Sequence, residues 1–485
     1  MSLHAQLSPE AQARLAAQKR TSTLTSLVIA LLLMVLVGVI LMIITMISNV
    51  KINPQMVSYN GAAESEENLK QKKVQTQIER KPAAPSSSMS KVIAANTTSP
   101  TAIPVPEIDV PEPSTDFGDG NDFGDGWGDG NGSGNGGGFG NIPAAMKKRC
   151  SKADRLQRLA DGGGTPECED AVVKSLDWLK STQAKDGSWS GPSKTAMTGL
   201  GLLCFLGHCE TAGSADYGET VLNAINFLVD KAMKNNGKLA DDFKDKHWCY
   251  EHSIAVYALA ESYTLCVKSF NENIPNLEQA VMDSGQFMIN SQHTGGGWEY
   301  GYDENNARGG DTSIVGWHMQ ALKACKFTGL DFANLTKCYK KGIDYLERMQ
   351  APNGGLGYSS PGSVTPTRAS IGALCFQIWK GASHKGARKA IKFMHKELVH
   401  GTKNADFDLY GHYYAAQAMI NHGGKEWENY NTQFRDDLLK QQAADGSFKG
   451  LKMKHGNSTH YSSCLATLML ETYYRFLPGT GQKTN

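Results

Sequence analysis

The chain has 485 residues, 40% of them hydrophobic, with 49 lysines and arginines against 48 aspartates and glutamates and a formal charge of +1. So even a balance, without a basic stripe, argues against nucleic acid as a partner. Ten cysteines are too sparse in this length for a disulfide scaffold, and without a Cys-x-x-Cys pair they exclude a finger-type zinc site; neither a metal nor a cofactor is expected.

The first element is a charge-free apolar run. Residues 27–47 read LVIALLLMVLVGVILMIITMI, long enough to cross a hydrocarbon core of about 30 Å as a helix. A transmembrane helix is expected over residues 24–48, after a short tail of 1–23, and with no small-residue cleavage site behind it the segment is retained. Arg14, Lys19 and Arg20 precede the span, whereas only Lys51 follows closely, before Glu64, Glu66 and Glu67. That bias places the amino terminus in the cytoplasm and the rest of a single-pass cell-membrane protein outside, in a periplasm if there are two membranes.

Residues 49–145 have no hydrophobic periodicity and pass from a Pro and Ser rich stretch to DFGDGNDFGDGWGDGNGSGNGGGFG. This is a disordered low-complexity linker with a root-mean-square span of about 55 Å. Its Asp-Gly run fits neither the EF-hand loop nor a nonapeptide repeat, so no metal is assigned to it.

From residue 146 to about 480 the chain repeats. Four segments place a glutamine four residues ahead of a glycine, with an apolar residue four before the glutamine: Leu179, Gln183, Gly187, Trp189; Met288, Gln292, Gly296, Trp298; Leu346, Gln350, Gly354, Tyr358; and Leu438, Gln442, Gly446, Phe448. Helical periodicity precedes each glycine, which stops the helix. A helix rich in small residues follows each one, as in TAMTGLGLLCFLG and RASIGALCFQIW. Two further units, HSIAVYALAESY from His252 and HYYAAQAMINH from His412, keep that second helix without the glutamine. Six helix pairs of this kind predict an all-α fold, an (α/α)6 toroid over 146–480, with small-residue helices innermost.

The glutamine, glycine and aromatic pattern resembles the repeat of squalene and hopene cyclases and of protein prenyltransferase β subunits, over roughly residues 165–475. The resemblance implies a toroid in which Gln183, Trp189, Gln292, Trp298, Gln350, Gln442 and Phe448 tie neighbouring pairs together. It implies no chemistry by itself. The nearest match to the cyclases' Asp-x-Asp-Asp acid motif is Asp406, Phe407, Asp408, Leu409, which lacks the last aspartate. No Asp-x-Cys of the prenyltransferase zinc site lies on an inner helix, and no Gly-Cys-Gly-Glu-Gln thioester sequence occurs.

Aligning the inner helices by their small-residue cores puts Thr195, His252, Thr312, Arg368, His412 and His460 at one level. The expected site is a polar, ligand-binding ring at one mouth of the central cavity, made of Glu251, His252, Asp311, Thr312, Arg368, His412 and His460. The bland alternative makes Asp311, in GGDTS, a helix cap and the histidines ordinary hydrogen-bonding groups. Trp248, Tyr250, Tyr257, Trp317, Tyr410, Tyr413, Tyr414 and Tyr461 either stabilise a cation through their faces or pack. Cys204, Cys375 and Cys464 read as apolar fillers, and Cys150 and Cys168 as a pair in an oxidising compartment.

Together these features predict a tethered module that grips a small molecule, lipid, peptide or glycan. The alternative is a polysaccharide lyase-like or terpene cyclase-like enzyme acting on an envelope glycan or isoprenoid, with Arg368 and the histidines as the lyase's cation and base.

Overall fold

The computed structural model describes residues 149–475, apart from 192, 405 and 452–457. The expected tail, transmembrane helix and linker lie outside the described residues. Among the described residues no helix is long and apolar enough to cross a membrane.

Thirteen α-helices and no strand occur among these residues. The first, α1 (Lys152–Asp161), was not expected; Ser151 caps it by accepting the Asp154 N–H. Twelve more follow as six outer and inner pairs: α2 (Pro166–Thr182) with α3 (Lys194–Gly207), α4 (Gly218–Lys234) with α5 (Trp248–Ser262), and α6 (Leu277–Asn290) with α7 (Thr312–Thr328). The second half is α8 (Leu335–Met349) with α9 (Pro366–Lys380), α10 (Lys385–Glu397) with α11 (Leu409–His422), and α12 (Gly424–Gln441) with α13 (Thr459–Leu470). The α/α toroid implied by the sequence is therefore present.

Composition decides which helix lies where. The inner helix α3 is buried on all sides, from Thr195 to Gly207, whereas the outer α8 buries only the stripe Cys338, Gly342, Ile343, Tyr345, Leu346 and Met349. A helix apolar all round needs neighbours all round; an amphipathic one needs a single wall. Each inner helix packs on the next and α13 packs back on α3, where the Cys204 thiol donates to the Cys464 carbonyl at 3.5 Å. The ring is closed.

The repeated glutamines supply that closure. Gln183, at the end of α2, donates from its amide to the Gly187 carbonyl at 3.0 Å and to Thr220 of α4 at 2.9 Å. Gln292 does the same to Gly296 and Cys338, both at 2.9 Å, and Gln350 to Gly354 at 3.2 Å and Gly386 at 2.9 Å. Gln442 joins the last unit to the first, donating to Ala171 of α2 at 2.7 Å and to Gly446 at 3.1 Å. The four glycines have φ of 84°, 92°, 94° and 88°, and a Cβ on any of them would collide with a backbone carbonyl of the next outer helix, that of Asn223, Lys341, Lys389 or Lys174. Trp189 and Trp298 donate from their indoles to Leu179 and Met288 carbonyls at 2.8 and 2.9 Å.

At the carboxyl ends of the inner helices both ends of the described chain meet one buried carboxylate. Glu261 accepts from Arg149 at 2.7 Å and from Arg475 at 3.3 Å. A disulfide beside this cluster joins Cys150 to Cys209, with Cα atoms 4.9 Å apart. The expected Cys150–Cys168 pair is therefore corrected: Cys168 points into the core from the first turn of α2, wholly buried. Cys209 leaves α3 in a left-handed conformation, φ 68°.

Candidate functional site

The structure does not assemble the expected ring of histidines. His252 lies between α5 and the outer layer, where Nδ1 accepts the Leu239 N–H at 3.1 Å and Nε2 donates to the Ser284 carbonyl at 3.2 Å. Burial, with the nearby His318 adding to it, pushes its pKa down to about 3. His412 likewise donates from Nε2 to Val399 and accepts from the Tyr430 hydroxyl, each at 2.9 Å, and burial lowers it to about 4. His460 reaches Thr182 at 3.1 Å and Ser190 at 3.3 Å and packs on Trp178. All three face the outer helices rather than the axis. Their partners satisfy them, and the two fully buried rings are neutral at neutral pH.

The reason is rotation. Helix α5 starts at Trp248, so His252 stands a full turn inside it rather than at its first position. Glu251 is also drawn aside: it accepts the Asp241 N–H at 2.8 Å, and burial raises its pKa.

Asp311, Thr312 and Arg368 do meet at the mouth formed by the amino ends of the inner helices. Asp311 caps α7, its Oδ1 accepting from the Ser313 N–H at 2.8 Å and the Ser313 hydroxyl at 2.5 Å. Thr312 fixes the adjoining turn by donating from its hydroxyl to the Gly357 carbonyl at 2.8 Å. Arg368 donates to the Leu356 and Ser363 carbonyls and lies 5.7 Å over the Tyr358 ring; burial lowers its pKa.

Around these stand tyrosines. The Tyr358 hydroxyl donates to Tyr300 at 2.9 Å, and the Tyr250 and Tyr300 oxygens are 3.5 Å apart. Tyr410, from the far side of the ring, donates to the Ser313 carbonyl at 3.2 Å. All four rings are half-buried. Burial first, and then neighbouring charge that includes Asp311, with a hydrogen bond to the Asp311 side chain in the case of Tyr358, pushes the phenols of Tyr250, Tyr358 and Tyr410 up, so they stay protonated. Arg308, ion-paired to the buried Glu299, lies 5.8 Å over Tyr300 and 5.6 Å over Tyr358 at the rim.

Below the mouth the axis is filled. Trp317 stacks on Tyr413 at 5.1 Å, and Tyr413 crosses Tyr414 at 5.0 Å. The Tyr413 hydroxyl donates to Gln320 at 3.1 Å. These contacts join α7 to α11, helices separated in the ring by α9, so they run as chords through the centre. Gly316 permits them, since a Cβ there would lie 2.9 Å from the Tyr414 hydroxyl.

Among the described residues no three His, Cys, Asp or Glu side chains converge as metal ligands. A separate groove of about 590 Å³ runs outside the ring between α4 and the 185–186 turn, lined by Asn223, Asn226, Asp230, Lys231 and the exposed Phe243.

Sequence reasoning missed Tyr300 and Arg308, which lie in the loop before α7, and read Tyr358 only as the aromatic of the third repeat. One signal was present: the aromatic of that unit follows its glycine by four residues where the others follow by two.

No protein-family model matches the chain, and neither does any curated protein. Among solved structures, the type II terpene cyclase MstE from Scytonema has a TM-score of 0.42 at 12% identity, covering 63% of this chain and 98% of that one. A variant of it bound to geranylgeranyl dihydroxybenzoate has a TM-score of 0.44, also at 12% identity, covering 64% and 97%. The GH76A α-1,6-mannanase from Salegentibacter sp. HEL1_6 has 0.47 at 11% identity, covering 64% and 99%. Likenesses of this size bear on neither ligand nor reaction.

Proposed function

We propose that this chain is a membrane-anchored, extracytoplasmic α/α toroid of the squalene-cyclase and prenyltransferase repeat type that works as a ligand-binding module. Its site is the tyrosine-lined mouth, and its partner is a small molecule, lipid, peptide or glycan. The observation that carries this reading is the plug: Trp317, Tyr413 and Tyr414 close the axis, so a ligand meets a seat rather than a deep reaction chamber. The chemistry agrees. His252 and His412 are engaged elsewhere and the tyrosines are held protonated, which leaves no proton acceptor of suitable pKa among them.

The Cys150–Cys209 bond supports an oxidising compartment. The anchor, expected over residues 24–48, rests on the apolar run of residues 27–47 and its flanking charge. Arg149, the first described residue, lies at the end of the toroid opposite the mouth, paired with Glu261.

One observation favours the enzymatic reading on a glycan or isoprenoid: Asp311 is a wholly buried carboxylate among tyrosines. Native mass spectrometry of the full chain purified from its own envelope, as wild type and as Asp311→Asn, decides between them. The binding reading predicts the same co-purifying molecule in both, at lower occupancy in the variant. A different molecule accumulating in Asp311→Asn would make the site catalytic, and a ligand retained unchanged by Tyr410→Ala would remove the mouth from either role.

A further inference from the structure

Resting on the mouth as the binding site, we infer that its ligand presents an organic ammonium group, seated among the faces of Tyr250, Tyr300, Tyr358 and Tyr410 and held by the negative charge of Asp311. The starting point is an oxygen without a committed donor. Asp311 is 0% exposed, its Oδ1 is committed to the α7 cap, and its Oδ2 is buried with the Tyr358 phenol, whose proton goes to Tyr300, as the neighbouring hydroxyl at the carboxylate. A buried carboxylate oxygen in that state is costly unless a positive charge stands near it.

The chain does not supply that charge at close range. Arg368 is turned onto the Leu356 and Ser363 carbonyls, and Arg308 is paired with Glu299. Among the described residues Asp311 enters no ion pair within 4.0 Å. The mouth therefore has a negative centre with its counter-charges held at the rim.

The walls select the kind of cation. Ring faces attract positive charge, most strongly where water is excluded. The guanidinium groups of Arg308 and Arg368 and the Lys246 ammonium, 5.5 Å over Tyr300, already use the rim faces of Tyr300 and Tyr358, so the inward faces, those of Tyr250 and Tyr410 above all, are the ones left for a ligand. The phenol oxygens of Tyr358, Tyr300 and Tyr250 are engaged with one another, and that of Tyr410 with Ser313 and Tyr414. That leaves faces, rather than oxygen ligands, to meet a ligand. Faces suit a weakly hydrated alkylammonium and offer no coordination to a metal ion.

The burial of Oδ2 also separates a cation from a sugar. A sugar hydroxyl has to touch an acceptor to satisfy it, and Oδ2 is sealed beneath its neighbours. A charge acts across the intervening rings without touching.

The test is a calorimetric titration of the full chain in a maltoside detergent with choline and with 3,3-dimethyl-1-butanol, a neutral molecule of nearly the same shape. Choline should bind at least about 10-fold more tightly than the alcohol. Asp311→Asn, whose Oδ1 still caps α7, should weaken choline by about 10-fold or more and leave the alcohol and the unfolding midpoint unchanged. Equal binding of the two probes, or full choline affinity in Asp311→Asn, overturns the ammonium assignment while the mouth remains a binding site. Failure of choline to bind, with the co-purifying molecule still lost in Tyr410→Ala, overturns it in the same way. Choline binding that survives Tyr410→Ala overturns both readings.

Discussion

Gly446 offers a direct measure of what closes the ring. Its φ of 88° is matched by Gly401 at 87°, but a Cβ on Gly446 would run into the backbone carbonyl of Lys174, whereas a Cβ on Gly401 would meet nothing within 4 Å. Substituting alanine at either site forces a side chain into the left-handed region, at about 1 kcal/mol. At Gly446 the clash with α2 adds about 1–3 kcal/mol of overpacking, and displacement of the turn also loosens the Gln442 bond to Ala171. We therefore expect Gly446→Ala to cost about 2–4 kcal/mol and Gly401→Ala about 1 kcal/mol. Urea unfolding of the full chain, followed by far-ultraviolet circular dichroism and by tryptophan fluorescence, measures the difference. Equal costs at the two sites would refute the argument that backbone approach at the last unit locks the toroid shut.

Acid should destabilise the domain through its neutral histidines. His252, His318 and His412 have folded pKa values near 3, 3 and 4, below the usual 6.5. Their contribution is therefore complete above about pH 6.5 and falls by about 1.4 kcal/mol per pH unit per histidine as pH drops toward the folded values. His412→Gln should flatten stability against pH between about 6.5 and 4.5 by one histidine's slope, and an unchanged profile would contradict its neutral, buried state. Reducing Cys150–Cys209 opens a loop with a sequence separation of 59. Chain entropy sets the expected loss at about 4 kcal/mol for a loop of this length, read as a lower urea midpoint in dithiothreitol that is absent from the Cys150→Ser, Cys209→Ser double variant.

The spacing of glutamine and glycine made the architecture legible because its cause is local: a helix stops in a left-handed turn that touches the next outer helix. Where the same approach is made without the glutamine, the signal disappears. Gly237 has φ 80° and faces the Asp283 backbone just as the four motif glycines face theirs, yet it follows two asparagines. The site was less legible for a different reason. Inner helices buried on every side have no amphipathic stripe to fix their rotation, and α5 begins at Trp248 without a side-chain cap. Alignment by small residues therefore placed His252 where Tyr250 stands. Tyr300 and Arg308 came from a loop, and Arg149, Glu261 and Arg475 meet only through tertiary closure, the first two across 112 positions and the last two across 214. Asp311 does cap α7, as the GGDTS sequence suggests, and it stands with Thr312 and Arg368 at the amino ends of the inner helices.

The most direct test of the tyrosine mouth is a hydrogen-exchange footprint of the full chain, compared as purified from its own envelope and after exhaustive dialysis. Bound ligand should slow exchange at the amino ends of α5, α7, α9 and α11 and in the 299–310 and 356–365 loops, and leave the outer groove along α4 unchanged. Protection confined to α4 and residues 238–243, with the mouth indifferent, would contradict the account.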